Sequence, residues 1–179
     1  LLTPILVAFI IYVPIAIYIL YSDSFQTVGS YILWASLGMM FRLSSWLVSF
    51  MFLAKGVAKT FILNETLAKA YFFALNILGY KFGGLEGLGV AFAVSYFIYT
   101  IQVYCIAHRK YEFTYDKEFI KNFIVFTVFI ITALAIGHFS TIFRYSLGAL
   151  LLTLSLFVSI KILDNKMGII ETVRNRLRK

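Results

Sequence analysis

Six apolar runs divide the chain, each followed by a short polar break. The runs cover residues 1–21, 29–54, 60–80, 87–107, 119–137 and 143–163. A membrane-spanning helix needs about 20 apolar residues at a rise of 1.5 Å each. The pattern therefore predicts an all-α polytopic membrane protein, with six transmembrane helices over residues 1–163 and a polar tail over 164–179. Pro4 suits a first helical turn. Pro14 falls in the middle of the first run, where it removes one backbone hydrogen bond and kinks the helix. Inside a bilayer a neighbouring helix must then satisfy the freed carbonyl.

The breaks add topology. They cover residues 22–26, 55–59, 81–86 and 108–118, the last being the longest. Residues 83–89 hold four glycines in a pattern that superficially resembles a phosphate loop. No strand precedes them, so a tight turn is expected instead. Twelve of the sixteen lysines and arginines fall on one side: Lys55, Lys59, Arg109, Lys110, Lys117, Lys121, Lys161, Lys166, Arg174, Arg176, Arg178 and Lys179. The opposite side has Lys81 and Arg144, while Arg42 and Lys69 lie within spans. The positive-inside rule then places both ends of the segment in the cytoplasm. In the tail, Met167, Ile170, Val173 and Leu177 recur at helical spacing between basic residues. This fits a short basic amphipathic helix on the anionic inner leaflet, but an ordinary positive-inside anchor that fixes topology is the preferred reading.

Composition agrees with the pattern. The chain of 179 residues is 61% hydrophobic and only 13% charged, with a net charge of +8. Nucleic-acid binding is a poor reading of that charge, because the basic residues cluster in the breaks between spans. The single Cys105 excludes an intrachain disulfide framework, and a small buried hydrophobe is expected there. The chain opens inside an apolar run, without Met, a charged leader or a cleavage site. Residues 1–20 are thus expected to be a span rather than a signal peptide, and the sequence to be part of a longer protein.

Polar residues inside the spans carry the candidate chemistry. Arg42 stands at the centre of the second run, where an arginine costs roughly 3 kcal/mol to insert, so it must face protein or water. Trp34, Gly38, Arg42, Ser45 and Ser49 form one helical stripe. In the third run Glu65, Lys69 and Asn76 share a face, and Glu65 and Lys69 make an i,i+4 pair with the acid first. In the fourth run Gly87, Ala91 and Ser95 make a small-residue row suited to close helix contact, continued by Tyr99 and Gln102. The last two runs have no ionisable residue in their middles and read as walls. His138 is a lone interfacial histidine, with no second ligand at metal spacing. Two readings follow: a bundle-holding salt bridge between Arg42 and Glu65, or a cationic cavity in which Arg42 and Lys69 receive an anion. Two cations against one acid favour the cavity.

The succession Leu20-Tyr21-Ser22-Asp23-Ser24-Phe25, Leu37-Gly38-Met39-Met40-Phe41-Arg42-Leu43-Ser44-Ser45-Trp46, Leu53-Ala54-Lys55-Gly56, Gly84-Leu85-Glu86-Gly87-Leu88-Gly89-Val90-Ala91 and Tyr96 resembles the C-terminal half of bacterial O-antigen flippases. These are polysaccharide-biosynthesis transporters of the multidrug/oligosaccharidyl-lipid/polysaccharide exporter superfamily. The resemblance covers roughly residues 1–113. It implies one lobe of a two-lobe, twelve-helix transporter that flips a polyprenyl-pyrophosphate-linked oligosaccharide across the inner membrane by alternating access. It also implies an upstream lobe in the same polypeptide, contacts with polysaccharide assembly proteins, and neither catalytic residues nor a cofactor. Arg42 and Lys69 would then attract the pyrophosphate beside Glu65. Ser45, Ser49, Asn76, Tyr99 and Gln102 would hydrogen-bond sugars, with Trp34 or Trp46 stacking on them. The alternatives are a drug/cation antiporter on the same scaffold, disfavoured by the scarcity of intramembrane acid, and a membrane-embedded sugar polymerase or glycosyltransferase, which would need positioned acids or a metal.

Overall fold

The computed structural model describes residues 2–20, 26–137 and 141–167. Among the described residues every regular element is an α-helix: α1 (Leu2–Leu20), α2 (Gln26–Ala54), α3 (Ala58–Tyr111), α4 (Lys117–Ile136) and α5 (Thr141–Met167). All five are long and apolar enough to cross a membrane. The chain is thus an all-α protein of the membrane class. The break at 22–26, His138 and the basic tail beyond Met167 lie wholly or mostly outside the described residues.

Where six runs predict six helices, the third and fourth join into α3, 54 residues long. A straight helix of that length would reach about 80 Å, far beyond a hydrocarbon core of about 30 Å. It does not run straight. Gly84 has φ 56° and ψ −136°, a conformation open to glycine and costly for other residues. Beyond it the chain folds back along itself. Lys110 donates to Thr60 at 3.1 Å, Asn64 donates to Tyr99 at 3.3 Å, and Gly79 meets Gly87. These pairings make the arms 58–83 and 85–111 antiparallel neighbours. Glycine is needed at the meeting point. A Cβ on Gly79 would run into the Gly87 carbonyl and lie 2.7 Å from Ala91 Cβ, and one on Gly87 would strike the Gly79 carbonyl. Gly87 and Ala91 therefore do serve close packing, as their spacing predicts, and Ser95 farther along the row is fully buried.

Residues 13–127 form one compact unit. Within it α2 packs against the second arm of α3 through small residues. A Cβ on Gly38 would lie 2.6 Å from the Phe92 ring, and one on Gly89 would lie 2.8 Å from the Tyr31 carbonyl oxygen. Val48, Phe52, Ala68, Tyr99, Val103 and Ala107 build the core of this unit. Cys105, expected to be buried, is exposed. Val103 and Ala107 occupy the inward face, and residue 105 is turned well away from both at 100° per residue.

The break predicted over 108–118 shrinks to residues 112–116. His108, Arg109 and Lys110 extend the last turn of α3, where cations complement the helix dipole. Glu112 ends the helix in the left-handed region, φ 51°, its N–H bonded to the His108 carbonyl at 2.9 Å. Tyr104, Tyr115 and Phe119 stack in sequence, with centroids 5.4 and 4.6 Å apart. Burial, and then the neighbouring Tyr104, push the Tyr115 hydroxyl above its ordinary range. It therefore stays a neutral donor, 3.4 Å from the Ser44 carbonyl oxygen.

Residues 2–12 with 128–167 belong to a second unit. Here Arg144, in the first turns of α5, donates through Nη2 to the Ile10 carbonyl at 3.0 Å. Ile10 is four residues before Pro14, so its carbonyl is the one that a proline cannot serve. The freed acceptor is answered by a guanidinium from another helix. Gly148 makes room for this contact between helices, since a Cβ there would lie 2.7 Å from Ile11.

Candidate functional site

Arg42 comes from the middle of α2, Glu65 and Lys69 from the first arm of α3, and Tyr96 and Tyr99 from the second arm. With Trp46, Ala68 and Phe72 they line a cleft of about 70 Å³. The fold-back at Gly84 brings the two arms' side chains together, 34 residues apart in the case of Glu65 and Tyr99.

The cations and the acid are unequally engaged. Lys69 lies 4.0 Å from Glu65 Oε2, the one-turn pair that the spacing predicts. Its side chain is 69% exposed, against 27% for Glu65, so the pair is loose and open to the surroundings. A pair so exposed contributes little by itself. Arg42 does not close the alternative bridge. Among the described residues it pairs with no carboxylate. Its guanidinium stands over the Tyr96 ring, 5.5 Å from the centroid, with Nη1 3.9 Å from Met39 Sδ. These are soft partners, and they leave most of its five donors available.

Glu65 is held from the other side. The Tyr99 hydroxyl donates to its Oε1, and Ser49 Oγ donates to the same oxygen at 3.2 Å. Tyr99 Oη also lies 2.9 Å from Ser49 Oγ. Behind Tyr99, Asn64 donates to its hydroxyl, and Gln102 Nε2 donates to Asn64 Oδ1 at 2.7 Å. A hydrogen-bonded line thus runs from Gln102 through Asn64 and Tyr99 to Glu65. Asn64 and Tyr99 are buried, at 3% and 4% exposure. Buried polar groups are costly unless satisfied, so this line aims the carboxylate firmly.

The residues singled out from sequence therefore separate into three groups. Arg42, Glu65, Lys69 and Tyr99 meet at one cleft, and Ser49 and Gln102 stand behind it. Ser45 is fully buried, and its hydroxyl is used within its own helix, on the carbonyls of Phe41 at 2.8 Å and Arg42 at 3.0 Å. Trp34 and Asn76 lie elsewhere. Trp34 Nε1 donates to Glu86 at 3.4 Å, near the hairpin tip. Asn76 lines a separate trough farther along α3. Tyr96 lines the cleft and Asn64 stands in the line behind Glu65, though the sequence marks neither as a candidate site residue. The signal for Asn64 was present: an amide beside the single intramembrane acid, in an otherwise apolar run.

Chemically, the cleft offers two cations with exposed donors and one carboxylate already engaged by hydroxyls. Exposed cationic donors of this kind can bind a compact anion. Among the described residues no three His, Cys, Asp or Glu side chains cluster to hold a metal. No family model matches the chain, and neither a curated protein nor a solved structure matches it at a significant level.

Proposed function

We propose that this chain is one lobe of a two-lobe, twelve-helix membrane transporter that flips a polyprenyl-pyrophosphate-linked oligosaccharide across the bacterial inner membrane by alternating access. In this reading the two arms of α3 count as separate crossings. The lobe then has six, with both ends of the segment in the cytoplasm. It works with an upstream lobe of the same polypeptide, in the neighbourhood of polysaccharide assembly proteins, and performs transport rather than catalysis.

One observation carries the proposal. Arg42 and Lys69 line the same cleft, and Arg42 has no carboxylate partner among the described residues. An intramembrane cation without a counter-ion is a strong pointer to an anionic ligand. A pyrophosphate supplies such a charge, and the resemblance of residues 1–113 to O-antigen flippases supplies the class of cargo. The test is flipping of a fluorescent lipid-linked oligosaccharide by the full-length protein in vesicles. Flipping that falls at least tenfold in Arg42→Ala and Lys69→Ala supports the reading, and unchanged flipping overturns it.

A second reading has one observation in its favour. Glu65 lines the same cleft, and a drug/cation antiporter would use it as the counter-ion of a cationic cargo. Two neighbouring cations repel such a cargo, and that ranks this reading second.

A further inference from the structure

The turn between α2 and α3 meets the far end of α3, and the contacts between them are made by cations. Lys110 Nζ donates to Thr60 Oγ1 at 3.1 Å, across 50 residues of sequence. Lys55 Nζ stands 4.6 Å from the centre of the Tyr111 ring. Lys59 precedes Thr60, Arg109 precedes Lys110, and both side chains are exposed. Four cations from two distant segments thus gather at the open end of the α3 hairpin. Lys59 stands ten residues before Lys69, about 15 Å away along the arm, so the group is separate from the Arg42–Lys69 cleft.

Their partners are neutral. A threonine hydroxyl and a tyrosine face hold Lys110 and Lys55 without cancelling either charge. Among the described residues none of the four pairs with a carboxylate, although the exposed Glu112 stands two residues past Lys110. The positive-inside rule asks only that cations lie in these breaks. It does not ask that they converge, or that neutral groups hold them with their charge intact. Beyond Lys59 the helix surface is aliphatic. Leu63 and Leu67 follow at four-residue intervals, 62% and 60% exposed. Uncancelled cations above a bare aliphatic stripe complement one phospholipid molecule, with its phosphate at the rim and its acyl chains along the helix.

We infer that this cluster is a binding site for the headgroup of an anionic phospholipid. Lys55, Lys59 and Lys110 receive the phosphate oxygens, Arg109 adds to the local positive potential, and Leu63 and Leu67 lie against the acyl chains. In the topology proposed above, the cluster faces the cytoplasmic leaflet, which carries anionic lipid. The bound headgroup bridges the α2–α3 turn and the end of α3, and so ties the two ends of the hairpin together. The site is independent of what the protein transports.

The experiment titrates the full-length protein, in micelles of an uncharged detergent, with fluorescent phosphatidylglycerol and with phosphatidylcholine bearing the same chains. The parent is expected to bind phosphatidylglycerol at least tenfold more tightly. Lys55→Gln/Lys110→Gln is expected to lose most of that preference and keep its affinity for phosphatidylcholine, which also reports that it is folded. Lys59 makes no hydrogen bond or ion pair among the described residues, so Lys59→Gln decides the matter if the double variant does not fold. It is expected to weaken phosphatidylglycerol binding roughly fivefold and leave phosphatidylcholine unmoved. Arg42→Gln/Lys69→Gln is expected to keep the parent's preference. Equal binding of the two lipids by the parent overturns the inference, as does an unchanged preference in Lys59→Gln. Loss of the preference in Arg42→Gln/Lys69→Gln overturns it by moving the headgroup to the cleft. Displacement of phosphatidylglycerol by excess inorganic phosphate overturns it in favour of a soluble phosphate.

Discussion

The guanidinium of Arg42 rests over the ring of Tyr96, 5.5 Å from its centroid, and no carboxylate meets it among the described residues. An aromatic face steadies a cation without neutralising it, for about 0.5–2 kcal/mol. Arg42 is thereby kept in place with its charge uncancelled. Tyr96→Phe is expected to leave transport within twofold of the parent, since the ring remains. Tyr96→Leu is expected to reduce it several-fold. The flipping assay on both variants measures the difference.

Tyr99 joins Asn64 to Glu65 from a position 4% exposed. Tyr99→Phe keeps the ring and removes the hydroxyl, so the buried Asn64 amide loses an acceptor and Glu65 a donor. Leaving such groups unpaired costs about 1–3 kcal/mol. Thermal unfolding of the full-length protein in detergent is expected to register a loss of that size. An unchanged midpoint would show that the line from Gln102 to Glu65 contributes nothing to stability.

The two arms of α3 require glycine where they touch. Gly79→Val and Gly87→Val are each expected to push the arms apart, because the added carbons meet backbone carbonyls rather than movable side chains. Overpacking of this kind costs typically 1–3 kcal/mol. In the proposed topology the fold-back puts the hairpin tip on the face opposite to the two arm ends. With Cys105 replaced by Ser, a cysteine at Phe82 is expected to react with an impermeant thiol reagent from one face of the membrane. Cysteines at Val57 and Phe113 are expected to react from the other. Labelling of all three from one face would exclude two membrane crossings by α3.

Arg144 answers the Ile10 carbonyl that Pro14 leaves free. Arg144→Ala is expected to destabilise the protein by about 1–3 kcal/mol through the unpaired carbonyl and lost packing. Pro14→Ala restores an N–H within the helix, so Arg144→Ala is expected to cost less in that background. A double-mutant cycle on unfolding midpoints measures the coupling. Strict additivity would mean that the arginine does not serve the proline's orphan.

Hydrophobic runs made the helices legible, because crossing length and backbone satisfaction leave few alternatives in a bilayer. The Glu65–Lys69 pair was legible for the same kind of reason, since it lies on a single helix and spacing alone sets it. The Tyr99–Glu65 contact was not, because it depends on how two arms are rotated against each other. Periodicity also gives a face and not a depth. Trp34 shares a stripe with Arg42 yet sits eight residues away, about 12 Å along the axis, and bonds Glu86 instead. Asn76 shares a face with Lys69 and opens onto a different hollow. The merging of two predicted spans into α3 has a comparable cause. A single glycine with positive φ turns the chain while helical hydrogen bonding continues almost to it on both sides.

The most direct test is the affinity of the full-length protein for sugar-free polyprenyl diphosphate, with Arg42→Gln and Lys69→Gln beside the parent. Each charge-assisted contact is worth about 1.5–3 kcal/mol, and 1.4 kcal/mol is a factor of ten. Each variant is expected to bind at least tenfold more weakly, and the parent's affinity to fall as salt rises. Equal affinity in all three proteins would contradict a cationic cleft that receives the phosphate.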